Sequence, residues 1–234
     1  MGLPTKVPAL QLNQGAKAFD ENVIFSGASV TLEPGVYYTL TGPNGSGKST
    51  LMSCLLLHQD LTEGQVLIDG APVTSASEAF RLQVFGLNDA LGWLPGLTVG
   101  QHLEILADEG PKIAQKLGMA SSQRMSVRQA LEELGVPQAY DREPHTLSSG
   151  QEQRSRLASL LLRPARYYFL DEPEKRLDTA GVQWIAQWAE STVSAGAAVC
   201  IATHDPELNA LPRTKNLVFP LETDGLGLAA ENAW

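Results

Sequence analysis

Short apolar runs and longer helical patterns alternate along most of the chain. The short runs predict buried strands in the segments VYYTLTG, GQVLIDG, QVFGLN, RYYFLDE, AAVCIATH and KNLVFPL. Helices are predicted in STLMSCLLL, TVGQHLEILA, MSVRQALEELG, RSRLASLLL and AGVQWIAQWAESTV. Strands that alternate with helices favour an α/β fold with a mainly parallel sheet and helices on its faces.

A helical stretch over residues 98–134 interrupts this alternation, and prolines at 111, 137 and 144 punctuate the region. We therefore expect a single domain over residues 1–234, in which a helical subdomain is inserted into an α/β core. The expected parts are the core, residues 1–90 and 147–222; the helical subdomain, residues 91–146; and a short tail, residues 223–234.

The composition is that of an ordinary globular domain. The chain has 234 residues, of which 43% are hydrophobic and 18% charged, so it can form a sizeable core. Its formal net charge is −9, whereas nucleic-acid-binding surfaces are normally basic. We therefore expect no nucleic-acid partner, although a loop can still bind phosphate through its backbone N–H groups.

Neither the opening segment nor the apolar runs indicate a membrane anchor. MGLPTKVPAL has no long apolar region after its lysine, so we expect no signal peptide. No apolar run approaches the ~20 residues of a membrane-spanning helix. Cys54 and Cys200 lie in apolar segments without metal or redox spacing, and are expected to be buried, reduced thiols. These features favour a cytosolic protein whose membrane role would depend on a partner.

The segment GPNGSGKS, residues 42–49, fills every position of the pattern G-x-x-x-x-G-K-[ST] between a predicted strand and a predicted helix. Glycines let the backbone N–H groups turn towards phosphates, the lysine reaches the β- and γ-phosphates, and the last hydroxyl ligates Mg²⁺. The alternative is a glycine-rich turn that caps an ordinary helix. The nucleotide-binding residues predicted here are Gly42, Pro43, Asn44, Gly45, Ser46, Gly47, Lys48, Ser49 and Thr50, of which Ser49 is also a metal ligand.

Acidic residues and a histidine follow two further predicted strands. Asp171 and Glu172 end RYYFLDE, and His204 ends AAVCIATH. Phosphate-loop enzymes hold Mg²⁺ through a carboxylate at such a strand end, and a neighbouring carboxylate can accept a proton from an attacking water. Ligands bind at the carboxyl edge of a doubly wound sheet, so His204 is a candidate contact to the γ-phosphate. The alternative is an exposed acidic pair and an ordinary polar histidine.

A second candidate anion site is LSSGQEQR, residues 147–154. Ser148 and the backbone N–H groups of Ser149 and Gly150 lie just before a predicted helix, whose N-terminus favours an anion. A simple serine-capped helix start is the alternative. The chain would then contain two phosphate-binding loops about a hundred residues apart.

The chain resembles the ATP-binding subunits of ABC transporters over roughly residues 10–220, because several motifs occur in that family's order. GPNGSGKST looks like the Walker A loop, LSSGQ resembles the signature motif LSGGQ, and YYFLDEP is similar to the Walker B strand with its glutamate. KRLD, which ends at Asp178, lies where the family has its D-loop, and ATHD matches its switch histidine. Phe19 precedes Gly42 at the distance where the family usually carries an aromatic residue that stacks on adenine.

This resemblance implies a P-loop NTPase fold with an antiparallel β portion near the N-terminus and an inserted helical subdomain. It implies ATP and Mg²⁺ as ligands, with Glu172 activating water and His204 holding the γ-phosphate. In this family two subunits pair head to tail, and the signature loop of one subunit closes over the ATP held by the other. The residues implied for that contact are Ser148, Ser149, Gly150, Gln151 and Asp178.

The implied partners are a second copy or a paired ABC ATPase subunit, and an integral membrane permease. The protein is then expected in the cytoplasm, peripheral at the inner face of the cell membrane. The chain also departs from the family: Ser149 replaces a signature glycine, and Glu174 and Lys175 replace small polar residues. The glutamine that touches Mg²⁺ in this family aligns with Asp89, a candidate metal ligand, and Asn88 beside it is the alternative.

Three functions remain open from the sequence. The first is an ATPase subunit that powers a transporter through a separate permease, and the second is a non-transport ABC ATPase that drives assembly or signalling of a protein partner. The apolar cluster Trp93, Leu94 and Leu97 bears on this choice, because it lies where the family receives the permease. The alternative is that these side chains only pack the helical insertion. The third function, a small-molecule or nucleotide kinase, would leave LSSGQ and the switch histidine unexplained.

Overall fold

The computed structural model describes residues 9–87, 92–119 and 125–219. The strands are β1 (Leu10–Phe19), β2 (Asn22–Leu32), β3 (Tyr37–Thr41), β4 (Glu63–Ile68), β5 (Ala71–Pro72), β6 (Val84–Leu87), β7 (Tyr167–Asp171), β8 (Ala198–Ala202) and β9 (Thr214–Val218). The helices are α1 (Lys48–Leu55), α2 (Glu78–Gln83), α3 (Val99–Lys116), α4 (Val127–Glu133), α5 (Ser149–Leu157), α6 (Ser159–Leu162), α7 (Thr179–Ser194) and α8 (Pro206–Asn209). Short 3₁₀ turns cover Pro137–Ala139 and Pro144–Thr146.

Five of the described strands form a parallel sheet in the order β6-β7-β8-β3-β9. These are the strands predicted in QVFGLN, RYYFLDE, AAVCIATH, VYYTLTG and KNLVFPL, so the predicted α/β core is confirmed. Parallel strands present their carboxyl ends at one edge of the sheet, which is where such folds bind ligands. The segments that follow β3, β7 and β8 therefore meet at this edge.

Successive side chains of each strand point to opposite faces of the parallel sheet, and a hydrophobic core covers each face. In β7, Tyr167 and Phe169 join a core that also contains α1 and the buried residues of β1, β2 and β4. Tyr168 and Leu170 join the opposite core, which contains the buried faces of helices α3 to α7. The helices of the predicted insertion thus share a core with the sheet that carries the candidate site.

The remaining strands form an antiparallel sheet in the order β2-β1-β4-β5. The antiparallel portion implied by the family resemblance is confirmed, and GQVLIDG contributes its strand β4. Apolar alternation did not single out β1 and β2. Their pairing contains register shifts around Gly15, and each shift moves the following side chains to the other face. A strict period of two is therefore lost in the sequence.

The helices predicted over residues 98–134 are confirmed as α3 and α4, which begin with capping boxes at Thr98 and Ser126. Pro111 lies inside α3 rather than at its end, since Ala107 and Ile113 pack the helix into the core on both sides of it. RSRLASLLL, predicted as one helix, divides into α5 and α6 at Ala158, whose carbonyl accepts an i+3 hydrogen bond.

Cys54 and Cys200 are buried and free, as predicted. Burial raises the pKa of Cys54 to about 11 and that of Cys200 to about 12, so both thiols stay protonated at neutral pH. No helix within the described ranges has both the length and the apolar character needed to cross a membrane. The predicted tail, residues 223–234, lies outside the described residues.

Candidate active site

The glycine loop joins the end of β3 to the start of α1 and requires glycine at both of its ends. Gly42 and Gly47 have φ values of 146° and 108°, in a region that side-chain-bearing residues rarely adopt. A Cβ atom at Gly42 would lie 2.3 Å from the carbonyl oxygen of Phe219, and one at Gly47 would lie 2.5 Å from Ile24 Cγ2. The loop can therefore pack against β2 and against Phe219, the residue after β9, only because these two positions lack side chains.

The start of α1 keeps hydrogen-bond donors available to a ligand. Its N-cap residue is Gly47, which has no side chain to cap the first amides. The Ser46 hydroxyl oxygen is buried and has no hydrogen-bond partner among the described residues. A helix N-terminus with unused donors favours an anion. This part of the loop therefore fits a phosphate group.

Lys48 supplies a buried positive charge beside these donors. Its side chain is almost fully enclosed, at 6% exposure. The ammonium nitrogen Nζ donates to the carbonyl oxygens of Gly42, at 2.8 Å, and Pro43, at 3.0 Å. Both of these partners are neutral, so they satisfy its hydrogen bonds without cancelling its charge. An anionic ligand in the loop would provide that compensation.

A pocket opens between the glycine loop, β2 and the end of β7. Its lining residues are Ile24, Asn44, Gly45, Gly47, Lys48, Ser49, Thr50 and Glu172. Among these, Ile24 was missed from the sequence, because its position in β2 follows from strand pairing and not from a motif. The residues of LSSGQ do not occur among the described residues that line this pocket.

Glu172 is the residue after β7, and it contributes to the lining of the pocket. Its backbone φ is 45°, and its N–H donates to the carbonyl oxygen of Ala202, at 2.8 Å. Atom Oε1 lies 4.0 Å from His204 Nε2, and Oε2 forms an ion pair with Lys175. The side chain of Glu172 is only 20% exposed, whereas that of His204 is 49% exposed. The structure therefore brings the two predicted catalytic residues together, and adds a lysine that spacing did not indicate.

LSSGQ forms the start of α5, and its polar side chains cap that helix. Ser148 is the N-cap residue and forms a capping box with Gln151: Gln151 N donates to Ser148 Oγ, at 3.3 Å, and Ser148 N donates to Gln151 Oε1, at 3.1 Å. Ser149 is the first helical residue and does not have a positive φ. Both serines are exposed. Local capping and an exposed helix start thus coexist here.

Asp178 joins the D-loop segment to the LSSGQ helix. It caps α7 by accepting from Gly181 N, at 2.9 Å, and it pairs with Arg154 Nη2, at 2.5 Å. The hydrogen bond from the Gly181 amide is the main reason that the pKa of the Asp178 carboxyl lies below its usual range. The Arg154 guanidinium lowers this pKa further. Gly150 also approaches this segment, because a Cβ atom there would lie 3.0 Å from the carbonyl oxygen of Arg176.

The remaining predicted residues either do not occur among the described residues that line the pocket or lie outside the described ranges. Phe19 ends β1, is 45% exposed, and has Lys17 Nζ 4.7 Å from the centre of its ring. Asp171 ends β7 beside Glu172. Asp89 and its alternative Asn88 lie outside the described residues. The adenine and metal contacts assigned to these residues stay predictions.

In the predicted apolar cluster, Leu94 is exposed, at 50%, whereas Trp93 and Leu97 are partly buried. Trp93 is half-buried, and its indole N–H donates to Glu152 Oε1, at 3.0 Å. It also contacts the His102 ring edge to face, with ring centres 4.9 Å apart. Trp93 therefore packs the junction between the helical region and α5, while Leu94 remains open to solvent.

A family model described as ABC transporter matches residues 25–175 of the chain. The macrolide export ATP-binding/permease protein MacB of Marinobacter nauticus is 30% identical over 220 residues, which cover 88% of this chain and 32% of that protein. The cytochrome c biogenesis ATP-binding export protein CcmA of Escherichia coli K12 is 31% identical over 187 residues, which cover 80% of this chain and 84% of that protein. The chain thus spans about a third of MacB but most of CcmA.

The fold also matches solved structures. One, a dimeric bacterial ABC transporter cassette, superposes with a TM-score of 0.71 at 20% sequence identity, over 89% of this chain and 94% of that chain. At this level of identity the likeness shows a shared fold. It agrees with the parallel sheet, the antiparallel sheet and the helices described above.

Proposed function

The chain belongs to the ABC transporter family, and from this premise we propose that it binds and hydrolyses ATP to power transport through a separate membrane permease subunit. The observation that carries the proposal is the pocket at the carboxyl edge of the parallel sheet. There the glycine loop, the buried ammonium of Lys48 and the carboxylate of Glu172 line one space. A triphosphate needs such donors and cationic charge, and its hydrolysis needs a carboxylate nearby.

The residues present fit ATP with Mg²⁺. The uncapped amides at the start of α1, the unpartnered Ser46 hydroxyl and Lys48 would hold the phosphates. The Ser49 hydroxyl and the Asp171 carboxylate are the proposed Mg²⁺ ligands, and Asp89 stays a further candidate. Bound Mg²⁺ would neutralise negative charge on the phosphate oxygens.

For hydrolysis we assign Glu172 as the general base and His204 as the contact to the γ-phosphate. Glu172 would accept a proton from the attacking water, and the products would be ADP and phosphate. The 4.0 Å separation between Glu172 Oε1 and His204 Nε2 supports a shared site. Catalysis of phosphoryl transfer rests mainly on positioning and charge neutralisation, which fixed groups at a sheet edge can provide.

We further propose that two subunits pair so that each completes the other's pocket. Ser148 and Ser149 are exposed at the start of α5, and the LSSGQ residues are not among the described residues that line the pocket of their own chain. A second copy, or a paired ABC ATPase subunit, would present its LSSGQ helix start to the phosphates. Such an arrangement is isologous, as two-fold symmetry requires.

Ser148→Arg should abolish ATP-dependent pairing while each chain still binds one ATP, because a bulky cation would occupy the contact between the subunits. The background for this test is Glu172→Gln, in which bound ATP should persist because the proposed base is absent. Ser126→Arg is the matched control, since Ser126 forms the same capping box at the start of α4. Size-exclusion chromatography with light scattering measures pairing, and equilibrium dialysis measures ATP binding. A Ser148→Arg protein that still dimerises with ATP would remove LSSGQ from the interface.

Transport coupling requires a membrane partner, and with it a place at the cytoplasmic face of the membrane. The exposed Leu94, beside the packed Trp93, lies on the surface proposed to receive that partner. The test is co-expression with any polytopic membrane protein that is encoded next to this chain, followed by ATPase assays of the complex in lipid vesicles. Binding that increases ATP turnover supports the transporter. Hydrolysis and pairing with no membrane protein bound would instead favour a non-transport ABC ATPase.

A further inference from the structure

Glu174 connects the segment after β7 to the segment that carries His204. Its Oε1 atom accepts from the Thr203 hydroxyl, at 2.5 Å, and from the backbone N–H of His204, at 3.3 Å. Thr203 is fully buried, and its own Oγ1 accepts from Asp205 N, at 3.0 Å. Atom Oε1 of Glu174 therefore holds the backbone at Thr203 and His204 in place.

The other oxygen of the same carboxylate, Oε2, is buried and has no hydrogen-bond partner among the described residues. A buried, half-satisfied carboxylate costs stability, so packing alone does not account for it. The segment around it is anchored as well: Gln153 Nε2, in α5, donates to the carbonyl oxygen of Pro173, at 2.8 Å. The backbone beside Glu174 is thus held by α5, while its carboxylate bonds to the segment that carries His204.

We propose that Glu174 is a positioning residue for His204, and that it sets the distance between His204 and Glu172 in the site. This inference rests on the function proposed above. Glu172 already has a fixed backbone, through its hydrogen bond to Ala202. The histidine side chain, in contrast, is half exposed, and the hydrogen bonds that Glu174 accepts hold the main chain to which it is attached.

Glu174→Ala should lower kcat for ATP about tenfold to a hundredfold, with the KM for ATP within about twofold of wild type, because small displacements of a reacting group cost rates of this order. Glu174→Gln keeps an oxygen acceptor and should retain kcat within a few-fold. Glu104→Ala is the matched control, because Glu104 also accepts a hydroxyl hydrogen bond, from Tyr140 in the helical region. It should leave kcat unchanged.

A double-mutant cycle separates positioning from a general structural role. In a His204→Ala background, Glu174→Ala should change kcat by less than about twofold, because the residue it positions is absent. An equal fall of kcat in both backgrounds would overturn the proposal, as would a Glu174→Ala protein with wild-type kcat. If His204→Ala slows hydrolysis while Glu174→Ala does not, the proposed function stands and this inference fails. A wild-type protein with no ATPase activity would refute the proposed function itself.

Circular dichroism and thermal unfolding accompany each variant, since removal of a half-buried side chain can unfold a protein. If Glu174→Ala does not fold, Thr203→Val tests the same hydrogen bond from its donor side. It should lower kcat in the same direction with the KM for ATP unchanged, and it should have no effect in the His204→Ala background. A Thr203→Val protein with wild-type kcat would overturn the proposal.

Discussion

Glu172→Gln should lower the rate of ATP hydrolysis by about 10²–10⁴-fold while ATP still binds, because the amide keeps the shape of the carboxylate but cannot accept the proton of water. The bound ATP should then persist and hold two chains together as a dimer. Steady-state ATPase assays measure the rate, and size-exclusion chromatography with light scattering at saturating Mg-ATP measures the dimer. A variant that hydrolyses ATP at nearly the wild-type rate would exclude Glu172 as the base.

The ion pair with Lys175 requires a control of its own, because Glu172→Gln also removes a charge partner from that lysine. Lys175→Gln breaks the same ion pair and leaves the base in place. We expect it to retain hydrolysis within a few-fold of wild type, since Glu172 is also held through its backbone N–H. If Lys175→Gln were as slow as Glu172→Gln, the ion pair and not the base would explain the loss.

Lys48→Ala should weaken ATP binding and reduce turnover together, because its charge acts on the bound substrate as well as during the reaction. A hydrogen bond to a charged group contributes about 1.5–3 kcal/mol, which corresponds to roughly 10–100-fold in Kd. Titration with a fluorescent ATP analogue measures the affinity, and ATPase assays over a range of ATP concentrations measure KM and kcat.

Two comparisons make the Lys48 result specific. Lys112→Ala removes an exposed lysine in α3 that pairs with Glu109, and should leave ATP affinity unchanged. Thermal unfolding checks the fold, because Lys48 also donates to the loop carbonyls of Gly42 and Pro43. Unchanged affinity in a folded Lys48→Ala protein would mean that the loop does not bind the triphosphate as proposed.

The central sheet was predictable because buried parallel strands are short apolar runs between helices. Its order was not, since β3 pairs with β8 and β9, which lie far along the chain. The pairing of β4 with β1 could not be predicted either, because the apolar pattern of a strand does not indicate which strand it pairs with. Register shifts near Gly15 removed the alternation that would have marked β1 and β2.

The phosphate loop was predictable because only glycine suits the backbone at Gly42 and Gly47. The spacing of these glycines in the sequence therefore indicates a phosphate-binding loop. The proximity of Glu172 and His204 was also predictable, because each follows a parallel strand, β7 or β8, that ends at the same edge of the sheet. The partners of Glu174 and Lys175 were not predictable, because they depend on how the chain turns after β7. That turn includes a positive φ at Glu172 and has no periodic pattern.

The left-handed backbone at Glu172 sets activity against stability. A residue with a side chain held at φ 45° costs roughly 1–2 kcal/mol relative to glycine, which adopts this conformation freely. Glu172→Gly should therefore recover part of that cost and melt no lower than Glu172→Gln, although both lack the base; thermal denaturation would measure it. Selection for heat resistance alone would then favour glycine at this position, and the selected protein would be more stable but a much slower ATPase.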